Sequence, residues 1–369
     1  MMMLPRYFLF LFLIVAHVDV AGQKPKKQNT SALTQAPGKV WTAEKAQAWY
    51  DQHKWITGAN FLPSTAINQL EMWQAESFDS ATIDRELGWA QNIGFNTMRV
   101  YLHSVAWKTD APGFKNRMNS FLNIADKHGI KALFVFFDDC WNRIPQAGKQ
   151  PDPKPGIHNS GWVQDPGHPL SNDTTLFPEL ERYVTDVMTR FKTDKRILLW
   201  DLYNEPGNSG KRDSSLPLLK KVFSWARAVN PDQPISAGLW DWGFEKLNAF
   251  QLQNSDVITY HNYEDQPWHQ RTIELLKANG RPMICTEYMA RTRNSRFSNI
   301  LPLLQKHNVG AINWGFVAGK SNTIYAWDTP MPTGDQPIEW FHDIFFKDGV
   351  PYRADEVNLI KRLNSEGKK

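Results

Sequence analysis

Short apolar runs recur along this chain at intervals that few architectures can accommodate. Residues 55–61, 94–103, 129–139, 197–203, 234–240, 257–263, 282–288 and 309–317 are rich in aliphatic and aromatic side chains and bounded by Gly, Pro or polar residues. Runs this short are strands rather than helices, and their continuous apolarity marks strands covered on both faces, as in a parallel sheet. Between them lie stretches with helical spacing: 79–92, opened by the capping pair Asp79-Ser80, then 117–128, 176–191, 216–228, 268–278 and 297–307. Eight such alternations on about 330 residues predict an α/β protein, a (β/α)8 barrel forming one domain with long βα loops. A doubly wound open sheet is the rival. Against it, no Gly-rich phosphate turn follows the first run, and polar or aromatic residues accumulate after nearly every strand.

The ends of the chain and its composition narrow the function classes. Residues 1–22 carry Arg6, an apolar run over 7–16 and the small residues Ala21 and Gly22, which together read as a signal peptide too short in its apolar part to span a bilayer. An uncleaved anchor is the alternative. Residues 23–40 are polar and contain Pro, the composition of a flexible tether, and 41–369 make up the folded domain. The expected location is therefore secreted or periplasmic, with no membrane partner once the leader is cleaved. A net charge of +4 without a basic patch gives no reason to expect nucleic acid, and a monomer is expected. The two cysteines, Cys140 and Cys285, fall on distant strands and read as buried small hydrophobes rather than a bridge. Tryptophan occurs 16 times, and Trp107, Trp141, Trp162, Trp240, Trp242, Trp268 and Trp327 stand in candidate loops. Indole faces stack on the C–H faces of pyranose rings, although core packing accounts for many large aromatics.

Two of the apolar runs stop on an acid. The run 197–203 leads into Asn204-Glu205-Pro206-Gly207, and Met283-Ile284-Cys285-Thr286 leads into Glu287. A carboxylate directly after such a strand sits at the rim where α/β enzymes keep their chemistry. The separation of 82 residues is near the ~94 that three of eight units in a ~250-residue barrel would occupy. That assigns the pair to strands four and seven, facing each other across the mouth. Two carboxyls so placed suit cleavage of a glycosidic bond.

With these motifs the chain resembles the retaining (β/α)8 glycoside hydrolases, and within them glycoside hydrolase family 5, the cellulase-like family, over about 55–316. The resemblance implies Glu205 as acid/base, Glu287 as nucleophile and Asn204 as partner of the sugar 2-hydroxyl. It also implies Arg99 as support for the nucleophile, His261 and Tyr263 as a pair lining the site, and Trp314 as the platform under the reacting sugar. Tyr263 could then donate to Glu287, and His261 could assist proton traffic at Glu205. Taken singly, an Arg on a strand is usually an ion pair and a His or Trp usually packing. Where family 5 members commonly carry a histidine after strand three, this chain has Asp138-Asp139-Cys140-Trp141-Asn142. Asp138 or Asp139 is thus a candidate for a sugar hydroxyl or for a turn cap, and as metal ligands they lack a third partner at ligand spacing. The insertion 152–167, with His158, Asn159 and Trp162, and the segment Trp240-Asp241-Trp242 are expected to wall the cleft. The expected activity is hydrolysis of a β-linked glucan, mannan or xylan by double displacement, internal cleavage first, with no metal or cofactor. An exo-acting glycosidase and a non-catalytic carbohydrate-binding protein are the alternatives.

Overall fold

The computed structural model describes residues 38–167 and 173–366. The expected leader 1–22 and the tether up to residue 37 lie outside the described residues. The last tether residues are tied down, since Gly38 N donates to Arg227 O at 2.7 Å and Trp41 N to Asp256 Oδ1 at 2.7 Å.

Eight strands are present among the described residues: β1 (Thr57–Asn60), β2 (Thr97–Tyr101), β3 (Lys131–Asp138), β4 (Ile197–Asn204), β5 (Ile235–Ser236), β6 (Ile258–His261), β7 (Met283–Glu287) and β8 (Gly310–Asn313). They pair in parallel in the order β5-β4-β3-β2-β1-β8-β7-β6. A single parallel bridge, Leu239 to Tyr260, joins the two free edges, with Leu239 N to Thr259 O at 3.0 Å and His261 N to Leu239 O at 2.8 Å. The sheet is thereby closed into a (β/α)8 TIM barrel, and the open-sheet alternative falls.

Alternation along each strand divides the apolar residues between two cores. On β3, Phe134 and Phe136 join the sleeve of residues packed under the helices, whereas Leu133 and Val135 join Ile56, Tyr101, Leu199, Ile284, Ile312 and Trp314 in a separate cluster that fills the barrel. Each such buried side chain contributes on the order of 1.5–3 kcal/mol. Gly58 is required on β1 because a Cβ there would lie 1.7 Å from Thr97 O.

Three departures from the sequence reading have physical causes. The fifth strand, expected over 234–240, keeps only Ile235–Ser236 in the ladder, since Ala237 and Gly238 give their carbonyls to Gln251 Nε2. The helix expected from residue 117 begins at Ala111, because Pro112 occupies the first turn, where its missing N–H costs nothing, and Asp110 caps Gly113 N. The helix Glu245–Asn254 was not expected; it buries only Leu247, Asn248 and Gln251 and so carries no apolar stripe to read.

The loop after β3 is seated on the barrel rim. Asn68 Nδ2 donates to Gly161 O at 2.8 Å, Gln69 Nε2 to Val163 O at 3.1 Å, and Ser104 N to Asp165 Oδ2 at 2.7 Å. After β8 the chain runs from Trp314 to Arg353 without helix before the closing helix Ala354–Glu366.

Candidate active site

Arg99 organises the barrel mouth. It is fully buried, and strand alternation turns it inward beside Tyr101. Nε and Nη2 donate to Asp201 Oδ2 at 3.0 and 2.7 Å, Nη2 also to Asn204 Oδ1 at 2.7 Å, and Nη1 to Asn60 Oδ1 at 2.8 Å and Glu287 Oε1 at 2.7 Å. One planar fork thus fixes residues from β1, β4 and β7 at a single level. Asp201, the only charge inside the fourth apolar run, is explained by this pairing. Its carboxyl is pushed up by burial and held down chiefly by Arg99.

Glu287 has both oxygens bonded. Tyr101 OH donates to Oε1 at 2.9 Å beside Arg99, and Tyr263 OH donates to Oε2 at 2.8 Å. The register that pairs His261 with Glu287 brings the imidazole in as well, with Nδ1 3.5 Å from Oε2. Burial pushes the Glu287 carboxyl up, against the opposing pull of His261 and Arg99.

Glu205 stands on the opposite side in a left-handed conformation, φ 44°, a strained geometry for a non-glycine residue that the surroundings must hold in place. Asp139 supplies the hold. It accepts from Gly207 N at 2.8 Å, Ser215 Oγ at 2.5 Å, Tyr203 OH at 2.8 Å and Lys211 Nζ at 2.5 Å. His261 Nδ1 lies 2.8 Å from Glu205 Oε1, and Oε2 accepts from Asn208 Nδ2 at 2.5 Å and Cys140 Sγ at 3.2 Å. Burial raises it above the ordinary carboxylate range. Burial also lowers His261 to about 4, so the imidazole is neutral near pH 7.

Oxygens of Glu205 and Glu287 lie within 4.8 Å of each other, with His261 Nδ1 between them. The three side chains also present ligand-type atoms to one point. Arg99 and Tyr101 already take one Glu287 oxygen and Tyr263 the other, so the guanidinium is the cation this cluster is built around.

The remaining candidates divide. Asn204 lines the cavity with its oxygen on Arg99 and one amide hydrogen on Asp138 Oδ1 at 3.0 Å; its other amide hydrogen meets only the Cys140 sulfur, at 3.5 Å. Trp141, Trp240 and Trp314 line a cavity of about 700 Å³ together with Trp162, Trp327, Tyr263 and the two glutamates. Trp242 does not; it is 46% exposed. Asp138 and Asp139 do not line the cavity either. Asp139 is consumed by the Glu205 turn, and Asp138 is buried beneath Asn204 and Trp162 Nε1, the latter at 2.7 Å, with its carboxyl raised to about 6 by burial.

Cys140 is a correction of another kind. It is buried as expected, but its thiol belongs to the site. Burial foremost, then the neighbouring carboxyls, hold it well above the ordinary thiol range and keep it a protonated donor. Tyr101, Asn60 and Asn208 were also missed, although Arg99-x-Tyr101 repeats the same-face spacing of His261-x-Tyr263.

The cellulase family model, glycosyl hydrolase family 5, matches residues 57–319. Among solved structures, the endo-β-1,4-mannanase from Thermotoga petrophila is similar with a TM-score of 0.56 at 14% identity, over 87% of this chain and 78% of that one. GH5_18 from Streptomyces cattleya, in complex with GlcNAc, is similar at 0.59 and 12%, over 85% and 80%. The exo-β-1,4-mannosidase Op5Man5 from an Opitutaceae bacterium, strain TAV5, is similar at 0.57 and 16%, over 85% and 60%. A barrel closed around two facing glutamates and matched by the family model across all eight strands leaves one assignment: the chain belongs to the cellulase family, glycosyl hydrolase family 5, and is an O-glycosyl hydrolase.

Proposed function

We propose that this protein is an exported, retaining β-glycosidase that cleaves a β-linked glycan by double displacement. The observation that carries the reading is the close approach of Glu205 and Glu287, oxygen to oxygen within 4.8 Å. Retaining enzymes keep their carboxyls about 5–5.5 Å apart, whereas inverting ones need about 6.5–9.5 Å to admit a water. Glu287, carrying the Arg99 cation and two phenol donors, is the carboxyl whose ionised form is better supported, and it attacks the anomeric carbon. Glu205 keeps its proton on Oε1, because Asn208 and Cys140 both donate to Oε2. It passes that proton to the departing oxygen as the C–O bond breaks. Glu205, now ionised, takes a proton from water, and the hydroxide displaces Glu287 from the glycosyl-enzyme with net retention. Neutral His261, against both carboxyls, steers the proton on Glu205.

Export rests on the leader-like residues 1–22 alone. The names of the similar structures make β-1,4-mannosides the first substrates to try, ahead of glucans and xylans. Proton NMR of the first product anomer on β-1,4-mannooligosaccharides tests the stereochemistry; the β-anomer is expected, and the α-anomer would refute double displacement. Glu287→Gln should abolish turnover. Glu205→Ala should slow unactivated glycosides by about 10²–10⁴ while sparing aryl glycosides with good leaving groups. Equal losses on both substrates would remove Glu205 from the acid role.

A further inference from the structure

The cavity above the glutamates is closed along one side by two loops that meet over the barrel. The loop after β3 and the loop after β8 are joined by two main-chain bonds, Asn159 N to Ser321 O at 2.8 Å and Met331 N to Gly156 O at 2.9 Å, and by the Asn322 side chain, Nδ2 donating to Lys154 O at 2.8 Å and Ile157 O at 3.2 Å. The β8 loop is also fastened to the β1 rim, Lys320 N to Ser64 O at 3.1 Å. Trp327 extends the closure toward β6, with its ring 4.9 Å from that of Tyr263. The lining on the other side, Asn208, Ser209 and Trp240 from the loops after β4 and β5, makes no hydrogen bond to the β8 loop among the described residues.

The chemistry orients the substrate in this cavity. On the glycosidase reading the leaving oxygen meets Glu205, and the open lining beyond it, Asn208 and Trp240, would be the aglycone side. A reacting ring seated over Glu287 with its leaving oxygen at Glu205 would turn its non-reducing edge to the joined loops.

Two polar side chains with hydrogen-bonding capacity to spare stand at that closed end. His158 Nδ1 lies 2.8 Å from Tyr325 O, a carbonyl, so Nδ1 carries the hydrogen and Nε2 is an acceptor. Asn159 is 1% exposed and lines the cavity, and neither its amide nitrogen nor its oxygen has a partner among the described residues. Buried amides left unpaired are costly unless something supplies the bonds. Sugar hydroxyls, each both donor and acceptor, match an imidazole acceptor beside an amide.

Resting on the glycosidase reading above, we propose that this enzyme takes its glycan by the non-reducing end, with His158 and Asn159 as the residues that bind the terminal sugar hydroxyls, and releases short units stepwise instead of cutting internally. A chain continuing past the terminal sugar would meet two loops bonded to each other, with two of those bonds between main-chain atoms that side-chain motion does not open.

The test uses β-1,4-mannopentaose and cellopentaose tagged at the reducing end with 2-aminobenzamide, resolved by size through the first few per cent of conversion. Stepwise shortening of the tagged species is expected from the outset, whereas early tagged products of all lengths would overturn the proposal. His158→Phe, which keeps an aromatic ring but removes the acceptor, and Asn159→Gly, which tolerates the left-handed φ of 46°, should each lower kcat/KM about tenfold, mainly through KM. Unchanged KM in both variants would dismiss these residues as the terminal contacts. Retention with random fragments would leave double displacement standing and end this proposal, and inversion with stepwise release would do the reverse.

Discussion

Replacing Cys140 by Ala should move the alkaline limb of the pH profile upward, and the structure gives the size. Activity needs Glu205 protonated, so the pH at which that proton is lost sets the alkaline limb of kcat/KM. The thiol donates to Glu205 Oε2 over 3.2 Å and favours the ionised form; its removal therefore raises the carboxyl further above the ordinary range. Hydrogen bonds to charged groups contribute about 1.5–3 kcal/mol. A thiol is a weak donor and Asn208 remains on the same oxygen, so about half the lower bound is appropriate, ~0.7 kcal/mol, or about half a pH unit. Cys140→Ser installs a stronger donor in the same place and should shift the limb downward. The assay is kcat/KM against pH on an unactivated oligosaccharide, for which proton donation limits the rate. The acid limb, which follows ionisation of Glu287, should stay in place, because among the described residues the sulfur makes no hydrogen bond to Glu287. Shifts of the same sign for Ala and Ser, or both limbs moving together, would refute the assignment of Cys140 as a positioning residue for the acid.

Arg99→Ala strips the cation from two buried carboxylates, Asp201 and Glu287. Losing one partner of a buried pair costs about 3–5 kcal/mol, so urea denaturation should show a fall of that order along with lost turnover, and a change below about 1 kcal/mol would contradict the hub role. Trp242→Ala, at an exposed position away from the cavity, should leave KM for oligosaccharides unchanged, and a rise of several-fold would return it to the cleft wall.

The barrel was legible because its signal is local and repeated: apolar runs closed by Pro, Gly or an acid need no partner to be recognised. Glu205 and Glu287 were legible for the same reason, each ending such a run. What escaped depends on contacts distant in the chain. Asp139 looks identical to Asp138 in sequence, and only the positions of Lys211, Ser215 and Gly207 show that it is committed to holding the Glu205 turn. Cys140 reads as a small hydrophobe until β3 and β4 are paired with Asp138 beside Asn204. Trp240 and Trp242 read alike because indoles in loops carry no sign of which way they face, and only Trp240 lines the cavity, with Nε1 on Pro206 O at 3.1 Å.

Chemistry and substrate choice are held by different kinds of bond here, and that difference decides how each can change. Glu287 and Asn204 sit on strand ends and share one guanidinium, so a single substitution at Arg99 reaches the nucleophile directly. The closed end is fixed by bonds spread over residues 154–159 and 321–331, two between main-chain atoms and three from the side chains of Asn322 and His158, so no single residue supplies them all. Point changes at His158 or Asn159 can therefore alter how firmly a terminal sugar is held, but the wall behind it stays. Internal cleavage would require shortening one of the two loops enough to break their join, and loops of this length tolerate such deletions at small entropic cost. The barrel and its glutamates would be untouched by that change, because none of the bonds that orient Glu205 or Glu287 comes from residues 143–161 or 319–334.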